Sequence, residues 1–348
     1  MRASRLCALL ACALLARAGA QNVYAHTAAG MLSPAVRGVP ARVYVPNGKS
    51  NTVTEIDPRT FQVIRTFRVT REPQHVVPAW DLRTLWVASD KGRQGLTSID
   101  PRTGKPGIFV PTDDPYNLYF TPNGRHAIVV AENQRRLDFA DPHSMKRQFS
   151  VGVPCKGVNH LDFTADGTSL LAACEFSGDL LRVDLAARKV TKVLHVGGMP
   201  QDVKLSPDGR VFYVADMMMN GLRVIDASTF APLTFIPTGK GAHGLYPSRD
   251  ATRLYISNRG EGSVSVLNFA TRKLVARWRI PGGSPDMGGV SADGRQLWLS
   301  GRYGGEVYVL STVSGKLLAR IKVGRGPHGL AFFPQPGRFS LGHTGNYR

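Results

Sequence analysis

Seven short polar signatures recur along this 348-residue chain: Gln74-His75, Tyr116-Asn117, Asn159-His160, Gln201-Asp202, His243-Gly244, Asp286-Met287 and His328-Gly329. The side chains they offer for chemistry are His75, Asn117, His160, Asp202, His243, Asp286 and His328. If the seven converge, four imidazoles and two carboxylates surround one point. Imidazole with carboxylate is an ordinary ligand set for zinc, copper or iron. A ring of donors and acceptors also suits a polar or anionic small molecule. A third reading asks only polarity of them, because turn-forming loops at a wet channel mouth are polar in any case. The register is uneven, with His243 and His328 one position earlier in their copies than His75 and His160. On an extended strand that shift turns a side chain to the opposite face, although Gly244 and Gly329 loosen the backbone there.

Other reactive residues cluster nearby. Asp216-Met217-Met218-Met219-Asn220 falls in a loop on the face of the ring. Thioethers are soft ligands for Cu(I), but adaptable apolar packing is the expected role here. Glu132 and Glu175 occupy related loops. They could act as acid and base, yet carboxylates on separate repeats are expected to be surface residues. Cys155 precedes one strand of a repeat and Cys174 ends the next. The intervening hairpin folds them back to one end, so a disulfide is expected. The sequence holds no Gly-rich phosphate loop, no G-x-S-x-G elbow and no His-Glu-x-x-His motif.

The elements that must position these residues repeat with them. An apolar strand recurs as Val43-Tyr44-Val45, Leu85-Trp86-Val87, Ile128-Val129-Val130, Leu170-Leu171-Ala172, Phe212-Tyr213-Val214, Leu254-Tyr255-Ile256 and Leu297-Trp298-Leu299, with centres 42 or 43 residues apart. A second strand ends in a turn at Asp57, Asp100, Asp141, Asp184, Asp226, Asn268 or Ser311. A third, such as 63–69, alternates polar with apolar residues, as a half-buried strand does. A fourth leads into an Asp-Gly hairpin, as at Ala165-Asp166-Gly167, Pro207-Asp208-Gly209 and Ala292-Asp293-Gly294. Four antiparallel strands per repeat make a propeller blade, and the lack of helical periodicity excludes a helical solenoid.

The expected fold is therefore all-β, a seven-bladed β-propeller of four-stranded antiparallel blades. The first repeat supplies only three strands and the last innermost strand, 328–333, lacks partners. The two are expected to meet, closing the ring and hiding two edges. The expected divisions are a leader over 1–20, an N-terminal extension over 21–40, the propeller over 41–338 and a C-terminal tail over 339–348. The tail begins an eighth apolar strand, expected to dock on the closing blade or across a face.

The leader reads as a signal peptide. Arg2 and Arg5 precede an apolar stretch of eleven residues, 6–16, too short to span a bilayer. Ala18-Gly19-Ala20 then offers a cleavage site before Gln21. Cleavage after Ala20 would place the protein in the periplasm or outside the cell, remove Cys7 and Cys12, and leave no membrane-spanning segment. The formal net charge is +19 and stays strongly basic once Arg2, Arg5 and Arg17 are removed. Such a charge favours anionic polymers or nucleic acid as partners. Because Lys and Arg are scattered, it also reads as a generic solubility charge.

At Tyr213-Val214-Ala215-Asp216, Leu254-Tyr255-Ile256-Ser257-Asn258, Val224-Ile225-Asp226, Leu205-Ser206-Pro207-Asp208-Gly209 and Gly326-Pro327-His328-Gly329-Leu330 the sequence resembles the bacterial YVTN-type β-propeller family. The resemblance spans nearly the whole mature chain, although Ala172-Ala173-Cys174 and Leu299-Ser300-Gly301 depart from the Tyr-Val-x-Asn pattern. It implies kinship with the haem d1 domain of cytochrome cd1 nitrite reductase and with amine dehydrogenase large subunits, but no Cys-x-x-Cys-His haem attachment is present. The expected function is that of an exported, monomeric, non-catalytic module that recognises a small ligand, cell-envelope polymer or partner protein at the channel mouth, without a cofactor. One alternative is a redox or metal-binding propeller holding a transition metal on His75, His160, His243 and His328. Another is binding of anionic polymer or nucleic acid through net charge alone.

Overall fold

The computed structural model describes residues 22–343 and 345–348. The leader, its cleavage site and Cys7 and Cys12 lie outside the described residues. The repeat folds as its pattern requires, into seven antiparallel sheets arranged as blades of one propeller. Six blades open on innermost strands Pro73–Pro78, Pro115–Phe120, Val158–Phe163, Pro200–Leu205, Ala242–Pro247 and Pro285–Val290. We number these blades one to six. No helix among the described residues is long and apolar enough to cross a membrane.

Burial falls from the axis outward, because inner strands are covered on both faces and outer ones on one. Ser169–Cys174 and Val211–Asp216 are buried throughout. Outer strands such as Lys273–Arg279 largely alternate exposed and half-buried residues. The apolar core therefore lies between neighbouring blades. Trp298 of the sixth blade, for example, is fully buried among Val43, Val45, Val307 and Phe332. The Asp-Gly hairpins are held by a hydroxyl two residues before the Asp. Thr164 Oγ1 donates to Asp166 at 2.6 Å, and Ser206 Oγ donates to Asp208 at 2.6 Å. Gly167 and Gly209 follow at φ of 67° and 70°, a conformation that costs glycine little.

The ring closes as expected. Ala331–Phe333 pairs with Arg42–Asn47, which continues through Thr52–Asp57 to Gln62–Arg68. The closing innermost strand is shorter than its sequence suggests, because residues before it cross to blade one. Gly329 N–H donates to Gln74 O at 2.9 Å, and Gly329 O accepts from Val76 N–H at 2.9 Å. A Cβ on Gly329 would lie 2.0 Å from His75 Cδ2. Glycine there lets closure and the placement of His75 coexist.

The tail does not join the sheet of the closing blade, although Tyr347 packs in one cluster with Tyr44 and Phe333. Ser340–Gly342 and Asn346–Tyr347 form a hairpin that enters the ring and pairs with Tyr119 of blade two, extending that sheet to six strands. Buried polar groups explain the choice. Lys204, fully buried on blade four, donates to Asn346 Oδ1. The Asp162 carboxylate accepts from the N–H groups of Phe163 and Leu205, each at 2.8 Å, and from Arg348 at 3.1 and 3.2 Å. The extension completes this end: Tyr24 lies 4.7 Å from the Arg348 guanidinium and donates to Leu205 O at 2.7 Å. Replacing Arg348 with Met should leave Asp162 buried without its cation, at a cost of about 3 kcal/mol. Urea unfolding measures this, and an unchanged midpoint would show that the latch contributes nothing.

Candidate functional site

Each innermost strand of blades one to six carries an irregularity near its entry. Pairing shifts between Pro73 and His75, Pro115 and Asn117, Val158 and Leu161, Pro200 and Val203, Ala242 and Leu245, and Pro285 and Gly288. A bulge breaks the strict alternation of faces. Consecutive side chains at the strand head can therefore both reach the axis. The offset of His243 and His328 does not turn them away, contrary to the alternation argument. His243 and His328 ring centroids are 6.1 Å apart, and those of His75 and His328 are 4.7 Å apart. The candidates form two tiers, with Gln74, Tyr116, Asn159, Gln201, His243, Asp286 and His328 nearer the mouth. His75, Asn117, His160 and Asp202 lie deeper.

The deeper tier gains a residue that the repeat could not reveal. His343, from the tail, stands against His75 and His160 with ring centroids 5.3 and 4.7 Å away. One nitrogen from each of the three lies within 4.8 Å of the others, and all three rings are fully buried. His75 Nδ1 donates to Tyr116 O at 2.9 Å, which leaves its Nε2 with a bare lone pair and no partner. His160 Nε2 is likewise buried without a hydrogen bond. The Asn117 amide accepts from Leu118 N–H through Oδ1 at 2.9 Å. Its nitrogen therefore faces Nδ1 of His160 and of His343, at 3.1 Å from each. His343 Nε2 lies 3.5 Å from Asp202 Oδ1. Burial pushes all three imidazoles well below their ordinary pKa, so each is neutral at pH 7.

In the mouth-side tier, Asp286 lies between His243 Nδ1, 3.1 Å from Oδ1, and His328 Nε2, 3.6 Å from Oδ2. Arg259 reaches Oδ1 at 3.1 Å and Arg302 stands 3.8 Å from Oδ2. Burial raises the Asp286 pKa and the two guanidinium groups oppose the rise. Burial, reinforced by the arginines, holds His243 and His328 well below the ordinary imidazole value. None of the seven predicted ring residues is more than 2% exposed. They form a sealed polar core, not an open recognition surface.

The residues that follow each blade's second strand ring the mouth: Asp90, Glu132, Glu175, Met217, Arg259 and Arg302. Two expectations fail here. Glu132 is buried, and desolvation with the nearby Glu175 charge pushes its pKa up to about 8. Glu175, half-buried and also raised, accepts from Gln201 at 2.6 Å and from Asn159 at 3.2 Å. Neither is a plain surface carboxylate. The methionine loop packs only in part: Met218 and Met219 are 60% and 51% exposed, whereas half-buried Met217 accepts from Arg259 at 2.6 Å. Cys155 and Cys174 are joined by a disulfide, which ties the start of blade three to the loop bearing Glu175.

These features can be set beside known proteins. The chain belongs to the YNCE-like β-propeller family, whose model matches residues 2–336. The fold resembles that of hydrazine synthase from Kuenenia stuttgartiensis, at 19% identity and a TM-score of 0.64 over 80% of this chain and 92% of that one. It also resembles the dihydro-haem d1 dehydrogenase NirN in complex with DHE, at 18% identity and a TM-score of 0.65 over 84% and 75%. A third likeness is to the periplasmic gluconolactonase PpgL of Pseudomonas aeruginosa, at 19% identity and a TM-score of 0.71 over 85% and 99%. At such identities the likeness is one of fold. No curated protein matches the chain by sequence. The resemblance to YVTN-type propellers thus holds for family and architecture.

Glu132 gives the mouth a measurable signature. The folded chain keeps its proton up to about pH 8, whereas the unfolded chain releases it near the ordinary 4.5. The raised pKa contributes stability that is full below 4.5 and lost as pH climbs through 8. Glu132→Gln should therefore gain on the wild type by up to about 1.4 kcal/mol per pH unit across that window. Paired urea curves near pH ~5 and pH ~8 test this, and a constant difference between the two proteins would contradict it.

Proposed function

We propose that this protein is an exported propeller that binds a transition-metal ion on its axis through His75, His160 and His343. The observation that carries the reading is the orphaned nitrogen pair in the deeper tier. His75 Nε2 and His160 Nε2 are buried, close to a third imidazole, and without hydrogen bonds. Each such atom costs about 1–3 kcal/mol, and a bound ion is a standing explanation for a cluster of them. Three neutral imidazoles suit zinc, copper, iron or cobalt and do not suit calcium or magnesium. The Tyr116 carbonyl on His75 and the Asp202 carboxylate near His343 are the partners that orient metal-bound imidazoles.

The donor set also speaks to what is bound. Three protein ligands leave a position open on zinc or copper, which fits a carrier or a reactive centre. The solved neighbour NirN is described as a dihydro-haem d1 dehydrogenase, so the fold accommodates haem chemistry elsewhere. Here the axis is sealed by the tail and by rings in mutual contact, which favours a bare ion over a tetrapyrrole. This reading takes up the metal-binding alternative, with His343 in place of His243 and His328 in the deeper trio. Export rests on the leader.

The test is metal analysis of mature protein made without a polyhistidine tag and dialysed against Zn(II), Co(II) or Cu(II). At least one ion per chain is expected, with a rise in unfolding temperature. His75→Ala and His343→Ala should each weaken binding by more than about 100-fold, whereas Asp202→Asn should cost about 10–100-fold. Absence of both stoichiometric metal and thermal stabilisation would overturn the reading.

A further inference from the structure

The mouth-side tier poses a second problem of the same kind. Gln74 Nε2 lies 3.3 and 3.2 Å from the two Asp90 carboxylate oxygens, so it must donate there. Gln74 Oε1 is then the atom that faces His328 Nδ1, at 3.1 Å. An amide oxygen only accepts, so His328 carries its proton on Nδ1. Its Nε2 faces Asp286 Oδ2 at 3.6 Å, and Oδ2 is itself buried without a hydrogen bond. His243 Nδ1, beside the same carboxylate, also has no hydrogen bond.

We propose that His243, Asp286 and His328 form a second metal position, so that the axis holds a two-ion centre. The proposal rests on the reading of the deeper trio as a metal site. One ligand atom from each residue lies within 4.8 Å of the others, and all three residues are buried. Arg259 occupies Asp286 Oδ1, which fixes the carboxylate and presents Oδ2 to the ion. Asp90 holds the Gln74 amide nitrogen, and the Gln74 oxygen in turn orients His328. The two trios touch: His75 and His328 ring centroids are 4.7 Å apart, and those of His160 and His243 are 6.4 Å apart. Ions bound in both would be neighbours.

Arg302 is the group that opposes the second ion. Its Nε stands 3.8 Å from Asp286 Oδ2 and its side chain is 28% exposed, so it can withdraw toward solvent. The second position should therefore bind more weakly than the first and should improve when Arg302 loses its charge.

The experiment is a Zn(II) titration of the tag-free mature protein by calorimetry, with metal content measured after gel filtration. The wild type is expected to hold two ions. Asp286→Asn and His243→Gln should each hold one, and His343→Ala should keep only the mouth-side ion. Arg302→Gln should tighten the weaker step by about tenfold, the scale on which one neighbouring charge acts. Near-UV circular dichroism establishes that each variant is folded, and either of the two mouth-side substitutions suffices. One ion in the wild type, lost in His75→Ala and kept in Asp286→Asn, would overturn the second position and leave the first reading intact. No ion in the wild type would overturn both. Two ions that persist in both Asp286→Asn and His243→Gln would overturn this assignment alone.

Discussion

Seven strands converging on one axis bring polar side chains closer together than water can follow, and everything else at the centre depends on how they are satisfied. The bulges at the strand heads sharpen the problem, since they turn consecutive residues inward where an undistorted strand would offer alternate ones. Neutral imidazole answers it in part. It buries at lower cost than a charged group, and it carries both a donor and an acceptor. The supply of partners still falls short. Tyr116 O takes the His75 proton, which leaves His75 Nε2 buried without a donor, whereas the Asn117 amide donates to Nδ1 of His160 and of His343 and leaves the His160 Nε2–H without an acceptor.

The tail belongs to this same constraint. His343 completes the deeper trio only because the last residues enter the ring, where Arg348 meets the buried Asp162 and Asn346 accepts from the buried Lys204. The tail meets residues of blades one to four, His75, Tyr119, Asp162 and Lys204, and packs Tyr347 with Tyr44 and Phe333 of the closing blade. It can take its place only when those blades stand side by side. Their ring is in turn closed by Val43 meeting Phe332 across nearly the full sequence.

The repeat made the propeller legible because its signals are local. An Asp-Gly hairpin, an alternating outer strand and an apolar inner strand each declare themselves within a few residues. The seven ring positions were legible for the same reason, and the structure gathers all of them at the axis. Three things were not. The bulges depend on pairing between strands, so the offset of His243 and His328 pointed to the wrong face. His343 lies outside the repeat, and only its position in a short apolar tail beside Gly342 and Ser340 marked it as more than a terminal residue. The burial of Glu132 follows from neighbouring blades leaning over it, which no single repeat encodes.

Charge at the mouth is divided by blade. Asp90, Glu132 and Glu175 follow one another in blades one to three, whereas Arg259 and Arg302 stand in blades five and six. Burial raises the pKa of all three acids, to about 6 for Asp90 and about 8 for Glu132, so part of their negative charge is held back as bound protons. A cation arriving beneath the mouth would favour their ionised forms. The acids thus form a reserve of charge, able to compensate an ion that the two arginines repel. The arginines meanwhile oppose the rise that burial gives the Asp286 pKa. On this argument the opposed signs at the mouth are complementary: the basic half offsets the buried Asp286 carboxylate, and the acidic half holds protons that a nearby cation would release.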